Sequence, residues 1–141
     1  PLDSFLCAYE SYAVLNDELR RYTVLGYQET KSLTTTERKR ILAGENKIQK
    51  FFEDLISYGI ERGVFPAGNI RLKAHCLLVL AQSWAVRHWA LSHFTKVSEY
   101  FEPLKIIAVG IILSKDVPKG MVDAVRPQFT EGSDLGARIQ N

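Results

Sequence analysis

Thr34 to Pro66 reads TTTERKRILAGENKIQKFFEDLISYGIERGVFP, and the fold class turns on this stretch. It opens on a capping box: the Thr34 hydroxyl is placed to accept from the backbone N–H of Glu37, while the Glu37 carboxylate reaches back. Ile41, Ile48, Phe51, Phe52, Leu55, Ile56, Gly59 and Ile60 then fall on one apolar face at helical spacing. Gly44 costs about 1 kcal/mol against Ala in a helix interior, which makes it the place for a bend or break. The stop is equally plain. Gly63 supplies a left-handed position after the last turn, and Pro66 follows in the connection.

The same period continues on both sides. Upstream, Leu2, Phe5, Leu6, Tyr9, Tyr12, Ala13, Asn16 and Leu19 form the stripe of a helix that Asp3 is placed to cap. This pattern fades near Gly26, and residues 26–36 carry turn chemistry. Downstream, Asn69 is expected to cap a third helix running to about Phe94. Every residue from Cys76 to Ala81 is apolar, and Trp84, Ala85, Val86, Trp89, Ala90 and Leu91 continue the pattern, so this helix is expected to be buried on nearly all sides. Ser98 is expected to cap a fourth helix, with Glu99 and Glu102 near its positive end and Pro103 marking a late start or a kink. Leu104, Ile107, Ala108, Ile111 and Ile112 line its apolar face. After Ser114, Pro118, Gly120, Pro127, Gly132 and Gly136 leave room for one short helix at Met121 to Val125 and a flexible tail. The expectation is an all-α helical bundle of four to five helices over 1–113, followed by an extension over 114–141.

At 141 residues the chain has the length of one domain, with 18 Lys+Arg against 16 Asp+Glu and 46% hydrophobic residues. That is enough to bury a core without staples, which excludes an obligate disulfide scaffold and a wholly disordered chain. A net charge of +2 gives no reason to expect nucleic acid as a partner of these residues. Cys7 and Cys76 sit in apolar periodic stretches and read as small core residues in a reducing cytoplasm, with a single bond between them as the alternative. Pro1-Leu2-Asp3 has no basic leader and opens inside a helical pattern, so a fragment of a longer cytoplasmic protein is expected. The longest apolar run, Ile106 to Leu113, is far short of the roughly 20 residues that span a bilayer, and no membrane partner is expected.

The search for catalysis is negative. The chain has no dinucleotide or phosphate-loop glycine pattern, no Cys-x-x-Cys, no His-Glu-x-x-His and no Gly-x-Ser-x-Gly. His75, His88 and His93 share one helix at spacings of 13 and 5, which puts no pair on one face for a metal. No enzyme, metal or cofactor is expected. The candidates are amphipathic aromatics instead. Trp84 and His88 are i, i+4 neighbours, as are Trp89 and His93; Tyr9, Tyr12 and Asn16 share a face of the first helix; Phe51, Phe52 and Tyr58 come from the second. A small-molecule pocket wants this mixture of apolar walls and a few orienting polar groups, although each aromatic taken alone is more often plain core. Gln82, Arg87 and His88 interrupt a strongly apolar helix, and buried polar groups need partners. Arg87 either pairs with Glu99 or Glu102 or receives an acidic head group. Arg20-Arg21 and Arg38-Lys39-Arg40 have acidic neighbours and read as solvated faces, and no helix-turn-helix unit is present in these residues.

Leu33-Thr-Thr-Thr-Glu-Arg-Lys-Arg-Ile41, then Phe52-Glu-Asp-Leu-Ile-Ser-Tyr-Gly-Ile-Glu-Arg-Gly-Val-Phe65, resembles the ligand-binding half of the TetR family of bacterial transcriptional regulators. The Leu-Ile-x-x-Gly-Ile-x-x-Gly-x-Phe phrase carries most of the likeness. A long apolar helix with Trp84 and Trp89 in its second half and the apolar run at 106–113 follow in the family's order. The resemblance covers about Leu2 to Leu113. It implies a repressor, usually a homodimer, whose last two long helices meet those of a partner, with Arg87, Trp89, Leu104, Ile107, Ala108 and Ile111 as the interface candidates. It also implies an effector pocket lined from the first two helices and the inner side of the third. Tyr9, Tyr12, Asn16, Phe51, Phe52, Gln82, Trp84 and His88 are the candidates for contact with a small lipophilic effector. The family's DNA-binding helices would precede Pro1, so these residues alone are not expected to hold an operator. A stand-alone helical dimerisation or adaptor module without a small ligand is the competing reading.

Overall fold

The computed structural model describes residues 1–28 and 33–115. Five helices follow one another: α1 (Leu2–Glu18), α2 (Arg20–Gln28), α3 (Thr35–Glu61), α4 (Ile70–Leu91) and α5 (Val97–Leu113). Helix α4 is the central element, packed against each of the other four, and α1 also touches α2, α3 and α5. The all-α expectation holds. The short helix expected at Met121 to Val125 and the tail beyond it lie outside the described residues.

Both ends of α3 behave as their chemistry dictates. The Thr34 hydroxyl accepts from the Glu37 N–H at 3.3 Å, and the Glu37 carboxylate accepts from the Thr34 N–H at 2.9 Å and its hydroxyl at 2.7 Å. Those two bonds to its charged form hold the Glu37 carboxyl below its ordinary pKa. No break occurs at Gly44, since α3 is continuous from Thr35 to Glu61. At the far end Gly63 takes φ of 69°, and the N–H groups of Val64 and Phe65 both donate to the Gly59 carbonyl, at 2.9 and 3.1 Å. The turn folds Phe65 back into the core, with its ring lying where a Cβ on residue 59 would stand. Gly59, Gly63 and Phe65 therefore form one device, in which two glycines let one aromatic close the helix end.

Four boundaries differ from expectation. Helix α1 starts at Leu2 with Pro1 at the cap position, so Asp3 lies inside the first turn and caps nothing. The first helix breaks at Leu19 (φ −93°, ψ 19°), and α2 runs through Gly26 to Gln28 where turn chemistry suggested a loop. The buried stripe of α1, Phe5 to Asn16, ends just before the break, and the one-residue elbow re-aims the chain so that α2 packs on α4. Helix α4 starts on Asn69 as expected, its side-chain oxygen accepting from Leu72 N–H at 3.0 Å, but stops at Leu91 rather than Phe94. The N–H groups of Phe94 and Thr95 both turn back onto the Leu91 carbonyl. Helix α5 begins one residue before Ser98, with Lys96 at the cap: Glu99 accepts from the Lys96 N–H at 3.1 Å, which leaves Ser98 inside the first turn. Pro103 lies within this helix on its exposed side.

The core joins an aromatic cluster from α1, α3 and Phe65 to a largely aliphatic seam between α4 and α5 that Trp84 and Phe101 complete. Phe52 meets Phe5, Tyr9 and Tyr12 edge-on with ring centroids 5.6–6.3 Å apart, and Phe5 meets Phe65 likewise. Leu77, Ala81, Leu104, Ala108 and Ile112 seal α4 against α5. Lys73, buried in the first turn of α4, donates to the carbonyls of Ile112 at 3.1 Å and Ser114 at 2.6 Å, satisfying acceptors at the end of α5 that have no helical partner. Both cysteines are free. Cys76 is half-buried, but Cys7 is exposed, contrary to its reading as a core residue, because it falls on the solvent side of α1.

Candidate functional site: a ligand cleft between α1, α3 and α4

Three cavities lie along one seam. The first, about 290 Å³, is bounded by Ser11, Tyr12 and Leu15 of α1 and by Lys47, Ile48, Phe51 and Phe52 of α3. Its walls are nearly all apolar, with half-exposed Phe51 (52%) at the mouth and buried Phe52 as the floor. The second, about 240 Å³, shares Tyr12, Leu15 and Ile48 with it and continues along Asn16, Leu19, Tyr22 and Ile41. The third, about 510 Å³, opens between α3 and α4 and shares Glu45 and Gln82 with the second. Asn46, Arg71 and His75 make it the polar end.

Hydrogen bonds fix the polar groups along the seam. The Gln82 amide donates to the Tyr12 hydroxyl at 3.0 Å and ties α4 to α1 where the second and third cavities meet. The Asn16 amide donates to the Tyr12 carbonyl one turn back, at 2.8 Å, which holds a buried side chain in place. Gln49 donates both to Glu53 and to the Arg71 carbonyl, each at 2.9 Å, and ties α3 to the start of α4. No described buried side-chain polar atom lacks a partner, so nothing in these walls is strained by desolvation.

Of the residues expected at a ligand, the seam gathers Tyr12, Asn16, Phe51, Phe52 and Gln82. It does not gather Tyr9, Trp84 or His88. Tyr9 is fully buried, its hydroxyl donating to the Leu77 carbonyl at 3.2 Å, and burial, more than the nearby Tyr100 and Tyr12, pushes the phenol well above its ordinary range. Trp84 is core: its indole N–H donates to the Asp17 carboxylate at 2.6 Å, and its ring packs on Tyr100 and Phe101. His88 meets the Trp84 ring edge-on at 5.3 Å and lines none of the three cavities. Ile48, Leu15, Leu19, Tyr22 and Arg71 were not anticipated. Leu15, Leu19 and Tyr22 follow Tyr12 at i, i+3 and i+4 steps, which was the available signal; Arg71 had none.

The interface candidates also divide. Trp89 is 68% exposed with the Arg87 guanidinium 5.2 Å over its ring, Ile107 is 50% exposed and Ile111 is half-buried. Leu104 and Ala108 correct the expectation. They face inward and belong to the chain's own core, because the inner stripe of α5 needs them against α4. Glu99 and Glu102 are engaged elsewhere, Glu99 at the Lys96 cap and Glu102 with Lys105 at 2.8 Å, so Arg87 stacks rather than forming the expected ion pair. Among the described residues no His, Cys, Asp and Glu group is placed to hold a metal, and no helix is long and apolar enough to cross a membrane.

The fold and seam can be set beside known proteins. Residues 2–89 match the family described as Tetracyclin repressor-like, C-terminal domain. The chain is a TetR-family C-terminal domain. It is also 30% identical over 114 residues to the HTH-type transcriptional regulator HbdR of Aromatoleum sp. (strain CIB). That alignment takes in 81% of the chain and 50% of the relative, so the TetR-family domain spans about half the length of this curated regulator. No solved structure gives a significant match. The glycine–aromatic helix end at Gly59, Gly63 and Phe65 and all but the last two residues of the central α4 lie within the matched residues of the TetR-family domain.

Proposed function

We propose that this domain is the effector-sensing and dimerising half of a bacterial transcriptional repressor. A small lipophilic ligand occupies the cleft and modulates DNA binding by an N-terminal helix-turn-helix domain of the full-length protein. The observation that carries the reading is the convergence of Tyr12, Asn16, Phe51, Phe52 and Gln82, from three helices, on one seam of apolar walls and pinned polar groups. Regulation then follows from linkage. A ligand preferring one packing of α1 and α3 on α4 shifts the regulator toward that packing by its difference in affinity for the two.

Dimerisation rests on the outer faces of α4 and α5. Cys76, Val79, Ser83, Val86 and Ala90 recur at alternating steps of three and four, opposite the buried stripe of α4. Beside them α5 presents Ile106 and Ile107, 75% and 50% exposed. An uncharged, closely spaced stripe of small and branched side chains suits a second helix pair.

The test is binding of the lipophilic probe N-phenyl-1-naphthylamine, followed by its fluorescence. Phe51→Ala should weaken it about tenfold through lost apolar contact, while Tyr9→Phe leaves it unchanged. Ile107→Glu should shift sedimentation from dimer toward monomer. Saturable binding that ignores Phe51, or no binding at all, overturns the cleft; an Ile107→Glu protein that stays dimeric overturns the interface.

A further inference from the structure

The polar third cavity has no part in the reading above, yet it shares the walls of the apolar ones. Glu45 and Gln82 line both the second and third cavities, and Tyr12, Leu15 and Ile48 line both the first and second. The three form a series, apolar at the Phe51 end and polar at the Arg71 end, with the Gln82–Tyr12 hydrogen bond between them.

The polar end is sorted by which groups are already used. Asn69 accepts from the Leu72 N–H as the cap of α4, and both Gln49 donor hydrogens go to Glu53 and the Arg71 carbonyl. Those bonds hold the backbone at residue 71 in place and leave its side chain out of them. Arg71 is exposed, forms none of the ion pairs found among the described residues, and offers a planar fork of donors suited to an oxyanion. His75, one turn further along α4, lines the same cavity. The one carboxylate in these walls, Glu45, belongs to the stretch shared with the second cavity.

We propose that the ligand of this cleft is a bipartite amphiphile: its apolar tail lies between Tyr12, Ile48 and Phe51, and its anionic head reaches past Gln82 to Arg71 and His75. The inference rests on the sensor reading of the cleft and adds the head-group chamber and its charge. A purely lipophilic effector would leave the largest of the three cavities to water. With its head on α4 and its tail against α1 and α3, such a ligand touches all three helices, so occupancy reports on how they are spaced.

The experiment is calorimetric titration of the purified protein with decyl phosphate and with 1-decanol, both kept below the concentrations at which they aggregate. Decyl phosphate should bind at least about tenfold more tightly, the expected contribution of a charge-assisted bidentate contact. Arg71→Gln, an exposed change whose folding is checked by a melt, should bring decyl phosphate down to the decanol level and leave decanol unchanged. Lys39→Gln, an exposed cation of α3 that lines none of the three cavities, should alter neither. Equal affinities, an Arg71→Gln variant that binds decyl phosphate normally, or an equal loss at Lys39→Gln each overturn the head-group assignment while the apolar cleft stands. If neither compound binds saturably, the sensor reading falls with it.

Discussion

The two faces of the α4–α5 pair both carry large apolar side chains, and those side chains have opposite fates. The inner face, with Leu77, Ala81, Trp84, Leu104, Ala108 and Ile112, is sealed against α1 and within the pair itself. The outer face leaves Trp89, Ile106 and Ile107 largely in solvent. The inner face also carries the polar groups, Lys73 on the α5 carbonyls and the Trp84 N–H on Asp17, each with its partner. A low dielectric punishes an unpaired polar group, so polar side chains survive inside only where partners are built in. Apolar content alone therefore does not tell the buried face of this pair from the open one; the polar groups that remain on the buried face are each paired.

The largest expected effect follows from the inner face. Leu77→Ala leaves a hole at a fully buried site and should cost about 3 kcal/mol of unfolding free energy in urea. A loss under 1 kcal/mol would mean that α4 re-packs freely, and the contrast between faces would collapse. Next comes Lys73→Met. The methionine keeps the apolar stem but leaves the Ile112 and Ser114 carbonyls without their donor, for an expected loss of about 2 kcal/mol. Hydrogen exchange should show the last turn of α5 opening first. Asp17→Asn is milder: an amide oxygen still accepts from the Trp84 N–H, so about 1 kcal/mol is lost, with a shift in tryptophan emission as the check.

The parts of this fold that were legible in the sequence are those set by local chemistry. The Thr34–Glu37 box, the Asn69 cap and the Gly63 stop each need only residues within a turn or two, and each is where local rules place it. The elbow at Leu19 was not legible, because nothing local breaks the helix there; α2 turns to meet α4, a partner that starts at Ile70, 42 residues after α2 ends at Gln28. The cleft divides the same way. Helical spacing put Tyr12, Asn16 and Phe52 on faces that line the seam, whereas Trp84 and Tyr9 lie away from it, because an amphipathic aromatic looks alike whether its polar atom faces a cavity, Asp17 or a carbonyl of Leu77. Arg71 was missed for the opposite reason: its exposure and its place beside Gln49 exist only once α3 and α4 are paired.

The smallest expected effect tests the outer face most sharply. Ile106 is 75% exposed, so Ile106→Ala removes little that the isolated chain buries, and unfolding at nanomolar protein should change by less than about 0.5 kcal/mol. A covered face behaves differently. If a second copy lies over α5, each protomer's stability includes its share of the interface, and the same substitution becomes costlier as protein concentration rises, by mass action. The quantity to measure is therefore the difference in urea midpoint between Ile106→Ala and the unaltered protein at two concentrations a thousandfold apart. A difference that grows with concentration places the α5 outer face under a partner. A constant difference leaves that face in solvent, and the resemblance between the two faces of the pair would then carry no consequence for assembly.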